Sequence, residues 1–175
     1  MNLSFVIVSF KSFHLVQKLI DSIPEENEII IIEIQIKNKL LRIFTGYGPQ
    51  EQSENVKEFY CTLDQEIDKC VTNGYDFIIE MDFNAKLGNG IIKGDPHEMS
   101  PNGEYLWRLI EKYDLFIGNT SANCSGVITR QRKTVNGLEK SVIDFLITSK
   151  NIAGFLNYVE IVDKRNKILT NYGTG

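Results

Sequence analysis

Asp76-Phe77-Ile78-Ile79-Glu80-Met81-Asp82-Phe83-Asn84-Ala85 is an apolar run that ends in a carboxylate and, two residues later, an amide. Side chains alternate along a strand, so Asp82 and Asn84 are expected on one face at its carboxyl end, the first an anionic acceptor and the second both donor and acceptor. Such a pair suits a phosphate or a metal-bound water. The same letters fit an Asx turn closing a buried strand, because Asp and Asn side chains hydrogen-bond their own backbone two residues on.

Upstream, Arg42 to Gln50 reads as a strand that stops in a Gly-Tyr-Gly-Pro loop. Glycines on either side of Tyr47 free the backbone to carry the ring at a sheet edge, where its hydroxyl reaches a phosphate or the ring merely packs. Glu51 to Asn73 places Val56, Phe59, Leu63, Ile67 and Cys70 at steps of three and four, one helical face, with Ser53 as N-cap and Asn73-Gly74 as stop. Strand, loop, helix, strand over 40–84 is an α/β layout. Ser4 to Ser9, Glu28 to Ile36 and Leu40 to Thr45 read as strands, the last two joined at Lys37-Asn38-Lys39. Leu15 to Ile23 fits a short helix or an irregular segment ended by Pro24, with His14 at its start as a surface or packing residue.

Downstream, Ala85 to Pro101 is a Gly- and Asn-rich loop long enough to be functional, and Asp95, His97 and Glu98 in it read as solvated rather than as metal ligands. Asn102-Gly103 opens a helix over Glu104 to Tyr113, and Leu115 to Gly118 is the next strand, leading to Asn119-Thr120. Val127 to Lys133 and Lys140 to Thr148 form a hairpin through Asn136-Gly137. Asp144 lies among residues that look buried, so it needs a hydrogen bond, a counter-charge or a function. Arg130, Arg132, Lys133 and Lys140 stand against one acid, Glu139, a basic run that would grip a phosphate backbone if it faced an acidic site.

The whole sequence has 175 residues, 42% hydrophobic and 24% charged, with no linker, repeat or low-complexity tract, which fits a single domain over 1–175. A formal charge of −4 argues against a general polyanion binder. Cys61, Cys70 and Cys124 show no Cys-x-x-Cys spacing, so neither a disulfide framework nor a zinc site is expected, and Cys61 and Cys70 read as packing residues. The apolar Met1 to Phe10 is too short to span a bilayer and reads as a buried strand; no membrane association is expected.

Taken together, a Tyr-x-Pro after a strand, the Asp-Phe-Asn-Ala strand end, the Asn-Gly helix, then Thr-Arg and Ser-x-Ile-Asp-Phe resemble the endonuclease/exonuclease/phosphatase superfamily over residues 28–150. Within it the Tyr-Gly-Pro-Gln loop and the Asp-Phe-Asn segment are most similar to endonuclease domains of LINE-type (non-LTR) retrotransposons, which accompany a reverse transcriptase. An abasic-site nuclease or small phosphatase fits that loop less well. The resemblance implies a DNase I-like, four-layer α/β sandwich of two mixed sheets flanked by helices. It also implies phosphodiester hydrolysis on DNA with Mg²⁺ or Mn²⁺, the ion polarising a phosphoryl oxygen. Asp82 would deprotonate water, Asn84 would hold the phosphate or that water, and Asp144 would orient a catalytic His. Tyr47, Thr129, Arg130 and Ser141 would meet the substrate. An intracellular, nuclear site of action follows from the mobile-element likeness.

By the same likeness the domain is expected to be incomplete. An Asn strand and a metal-binding Glu would precede residue 1, and a Ser-Asp-His would follow the strand at Tyr158 to Val162; His14 and His97 lie elsewhere. An impaired enzyme is therefore expected, or else a non-catalytic descendant used as a binding module.

Overall fold

The computed structural model describes residues 3–8, 29–36, 38–135 and 137–162; side chains of 3–8 and 162 are outside the description. The helix expected at Leu15 to Ile23, His14, Lys37 and Asn136 therefore lie outside the described residues.

In chain order the elements are β1 (Leu3–Val8), β2 (Ile29–Ile36), β3 (Lys39–Tyr47), α1 (Val56–Asn73), β4 (Asp76–Asp82), α2 (Pro101–Tyr113), β5 (Phe116–Ile117), a 3₁₀ turn (Gly118–Thr120), β6 (Cys124–Ser125), β7 (Arg130–Thr134), β8 (Gly137–Ser141), β9 (Asp144–Thr148), α3 (Lys150–Ala153) and β10 (Leu156–Val162). A five-stranded sheet runs in the order β2-β3-β4-β9-β5, a three-stranded one in the order β1-β10-β6, and β7-β8 form a separate ribbon. The larger sheet is mixed: β3 and β4 are parallel, and its other neighbours antiparallel. The smaller is parallel at both pairings.

The alternation of β4 explains the layering. Phe77, Ile79 and Met81 join the core under α1 and α2, which also takes Leu63, Ile67, Leu106 and Ile110. Ile78, on the other face, packs with Leu41, Leu146, Val159 and Ile161 between the two sheets. A fully buried side chain of this size contributes roughly 1.5–3 kcal/mol, so both faces of β4 are held firmly. Glu80 and Asp82 share the Ile78 face, and the apolar filling ends there.

Several expected boundaries move. Helix α1 begins at Val56 rather than near Glu51, because Ser53 N–H donates to the Gln50 carbonyl at 2.9 Å and closes a turn first; Asn55, not Ser53, is the N-cap. Its stop at left-handed Gly74 agrees with the sequence. Helix α2 begins at Pro101, capped by Ser100, whose Oγ accepts from Gly103 N at 3.2 Å, so Asn102 and Gly103 lie inside its first turn. Cys61 is exposed on α1 rather than packed, and Cys70 alone of that pair is buried.

The expected strand Lys140 to Thr148 is broken in two. The Thr129 hydroxyl accepts from both Ile143 N (3.0 Å) and Asp144 N (3.1 Å), filling the donors where the chain leaves the ribbon and enters the sheet. Residues 83–100 are not an open loop either: Phe83, Ala85, Leu87 and Ile92 are buried beneath it. Asp95, expected to be solvated, is only 3% exposed, its Oδ1 accepting from His97 N at 3.1 Å.

Candidate functional site

Register builds the site. Asp82 ends β4, directly opposite Asp144 at the start of antiparallel β9, and beside Tyr47 at the end of parallel β3. Cross-strand partners share a face, so Tyr47, Asp82 and Asp144 form one row across three strands. Glu80, one row back, pairs with Leu146. The two aspartates, distant in sequence, thus meet at one edge of the sheet.

The amide arrives by another route. Strand β4 stops at Asp82, and Asn84 has φ +46°, a left-handed conformation that Asn tolerates better than most residues. Asp82 Oδ1 accepts from Asn84 N at 2.8 Å, closing an Asx turn. The expectation that strand alternation aligns the two side chains is thereby corrected: a turn brings Asn84 back, and its Nδ2 donates to the Gly48 carbonyl at 2.6 Å. Gly48 N donates in turn to the Asp82 carbonyl at 2.6 Å. A Cβ on Gly48 would lie 2.5 Å from the Phe83 carbonyl oxygen, so only glycine lets the two loops approach this closely.

Asp82 and Asp144 are 7% and 6% exposed. Burial pushes Asp82 up to about 6, against the pull of the Asn84 N–H and the Arg130 charge. Burial, then the charge of Asp82, pushes Asp144 up to about 7; a Thr129 hydrogen bond and Arg130 oppose this, and Glu80 adds to it. Glu80 itself is raised to about 7 by burial. Three acids on one face, with one guanidinium nearby, make a site that favours a proton or a cation.

A cleft of about 290 Å³, lined by Gln50, Glu51, Gln52, Asn84, Lys86, Arg130 and Ile143, adjoins the two aspartates through Asn84 and Ile143. Tyr47 is exposed at its side, and its hydroxyl accepts from Gln50 Nε2 at 2.9 Å. Thr129 and Ser141 are buried: the Thr129 hydroxyl faces backbone N–H groups and Asp144, and the Ser141 carbonyl accepts from Thr129 N at 3.1 Å. The basic ribbon does not act as one strip. Arg130 and Arg132 alternate with Gln131 and Lys133, and Arg132 sits across from Glu139. Of the four cations, Arg130 lines the cleft.

Glu80, Gln50, Lys86 and Asn102 also belong to this site, and sequence reasoning assigned none of them a site role, although Gln50 lay in the Tyr-Gly-Pro-Gln loop and Asn102 in the Asn-Gly pair read as opening a helix. Glu80 carried a signal in its i−2 spacing from Asp82 and Asn102 in the Asn-Gly pair; Lys86 carried none.

The arrangement can accept a proton at Asp82 or Asp144 and present three amides and two cations to an anion, with the Glu51 carboxylate opposing them. For a divalent ion, among the described residues no three His, Cys, Asp or Glu side chains converge closely enough to hold one. Mg²⁺ is commonly held by one or two carboxylates with several waters, and Asp82 and Asp144 are the paired carboxylates that the site offers one. No helix among them is long and apolar enough to cross a membrane.

Fold and register define an α/β sandwich of the kind seen in endonuclease domains. The described structure is similar to the endonuclease domain of TRAS1, a telomere-specific non-LTR retrotransposon, with a TM-score of 0.54 at 16% identity, over 73% of this chain and 52% of that one. Beta toxin from Staphylococcus aureus aligns at a TM-score of 0.43 and 14% identity, over 78% of this chain and 48% of that one. The chain thus spans about half the length of these solved structures. No family profile and no curated protein sequence matches it.

Proposed function

We propose that the chain is part of an endonuclease-type domain of retrotransposon origin that binds a DNA phosphodiester in the cleft beside Asn84 and Arg130. The observation that carries this reading is the direct opposition of Asp82 and Asp144 next to a cleft carrying three side-chain amides and two cations against one carboxylate, Glu51. In this reading Arg130 and Lys86 draw the phosphate in, Asn84 and Tyr47 orient it, and Asp82 takes a proton from the attacking water. That last role needs the carboxylate, so it is available above about pH 6. Asp144, held at about 7, carries the negative charge that a neighbouring imidazole would need only as pH rises through that value. Nuclear action belongs to the same proposal.

Hydrolysis by such a domain needs a divalent ion, and among the described residues no three His, Cys, Asp or Glu side chains group to hold one. The chain with Mg²⁺ is therefore expected to leave supercoiled plasmid intact. A version extended by a Glu-bearing strand before it and a Ser-Asp-His segment after it is expected to nick the plasmid. Asp82→Asn should then lower that rate by about 10²–10⁴, the usual contribution of a positioned base. Nicking by the chain without these additions would show that its own residues suffice and overturn the need for the added Glu and His.

The burial of both aspartates favours a second reading, a non-catalytic binding module. If the extended version binds duplex without cutting it, this second reading replaces the first.

Ribbon geometry gives a separate expectation. Arg130→Ala should weaken binding to a random-sequence duplex and lower the slope of log K against log salt by about 1. Arg132→Ala should change the slope less, since Glu139 lies across from it. Fluorescence anisotropy from 50 to 200 mM salt measures both, and equal slopes for the two variants would remove Arg130 from the phosphate contact.

A further inference from the structure

Asn102, fully buried in the first turn of α2, reaches two loops at once. Its Nδ2 donates to the Pro49 carbonyl at 2.8 Å and to the Asn84 carbonyl at 3.2 Å. A side-chain amide has two N–H donors, so both are used. Pro49 lies in the loop that carries Tyr47 and Gln50, and Asn84 in the turn that closes β4. Helix α2 is itself fixed against that turn, because Ser100 N donates to the Lys86 carbonyl at 3.0 Å and Lys86 N donates to Ser100 Oγ at 3.1 Å.

The other end of the same amide is unrewarded. Asn102 Oδ1 is buried with no hydrogen-bond partner among the described residues. A leucine of similar volume would avoid that cost. The gain from an amide at this position must therefore come from its two donors, and both are spent on the walls of the cleft rather than within the helix.

We propose that Asn102 is a positioning residue that pins the Tyr47-Gln50 loop to the Asn84 turn and thereby sets the width of the phosphate cleft. The Asn84 side chain donates to Gly48, and the Tyr47 hydroxyl accepts from Gln50. Without the Asn102 amide the two loops can still hold each other through Gly48 and the turn keeps its Lys86–Ser100 bonds to α2, but the Tyr47-Gln50 loop loses the Pro49 bond that ties it to the helix. The cleft then widens and the Asn84 amide samples more than one orientation. The pinning follows from geometry alone; that the pinned cleft serves a phosphate rests on the proposed function.

Nuclear magnetic resonance of the ¹⁵N-labelled chain tests the two parts separately. In the unaltered protein the Asn102 carboxamide protons should exchange with solvent at least 100-fold more slowly than those of an exposed asparagine such as Asn151. Fast exchange would overturn the proposal without any variant. Asn102→Ala, and Asn102→Asp, which keeps the volume but loses both donors, should each speed exchange of the Asn84 carboxamide and the Gly48 amide at least tenfold. Affinity for a random-sequence duplex should fall at least fivefold. Ile67→Val, a core methyl deletion remote from the cleft, serves as the stability control and should leave both readouts within twofold. Equal changes in Ile67→Val would reduce Asn102 to a stabilising residue. Faster exchange at Asn84 in a protein that never binds duplex would keep the pinning and sink the nucleic-acid reading alone.

Discussion

Moving the chain from pH 5 to pH 8 is expected to lower its unfolding free energy on the order of 5 kcal/mol. The cause is the acid cluster on the inner face of β4 and β9. In the unfolded chain Asp and Glu ionise near pH 4. In the folded one Asp82 is held at about 6, and Asp144 and Glu80 at about 7. Between these limits the folded state binds more protons than the unfolded state. Stability therefore falls as pH rises: the contribution is complete below about pH 4 and lost as pH passes through about 7.

Each tenfold change in proton affinity is worth about 1.4 kcal/mol. Asp82 and Asp144 share one repulsion, so their contributions do not add in full. Arg130, on the ribbon, is the cation that acts on both and moderates the loss. Against a typical domain stability of about 5–15 kcal/mol the effect is large. Urea melts at pH 5, 6, 7 and 8 measure it. Asp144→Asn and Glu80→Gln should each flatten the profile and raise stability at pH 8. A flat profile in the unaltered chain would mean that water or a cation already relieves these acids. The same variants carry a functional corollary, because the group that destabilises the fold is the one the proposed chemistry uses.

Gly103→Ala is expected to cost about 3 kcal/mol, the upper end for overpacking, although alanine in a helix is ordinarily favoured over glycine by about 1 kcal/mol. A Cβ at this position would lie 2.0 Å from the Lys86 carbonyl oxygen. That oxygen accepts from Ser100 N, the cap of α2, so backbone rather than a flexible side chain has to move. Displacing it pulls the first turn of α2 from the 83–86 segment and takes Asn102 with it. The expected result is a lower urea midpoint with an unchanged m-value, together with weaker duplex binding. Gly90→Ala, where a Cβ meets nothing within 4 Å, is the matched control and should be close to neutral. A near-neutral Gly103→Ala would show that the helix start can slide without cost.

These expectations rest on residues of different legibility. The run Phe77 to Met81 could be read as a doubly buried strand, since apolar residues occupy both alternating sets. The helix at Val56 to Asn73 showed its face by spacing and its end by Asn-Gly. Ser100-Pro101, an N-cap followed by proline at the first helical position, was an available signal for the start of α2 that the neighbouring Asn-Gly obscured. The break at Val142-Ile143 was not available. Lys140 to Thr148 has strand composition throughout, and what divides it is a hydroxyl at Thr129 taking two backbone donors from across the fold.

The basic residues of the ribbon show the same limit. Composition puts four cations near one acid, but a strand's period of two sends neighbouring residues to opposite faces. Arg130 alone of them was then found lining the cleft. For Asp95, polarity and loop position suggested solvent, whereas the folding of residues 83–100 over the core buries it.

By itself the sequence determined the α/β class, the strand ending at Asp82 and the chemical character of the residues around it, because periodicity, glycine and carboxylate content are local properties. Only the tertiary structure decided that Asp144 lies opposite Asp82, that a left-handed turn rather than strand alternation presents Asn84, and that Asn102 ties two loops together. Those facts depend on register and on hydrogen bonds between segments up to 62 positions apart, which no short stretch of chain encodes.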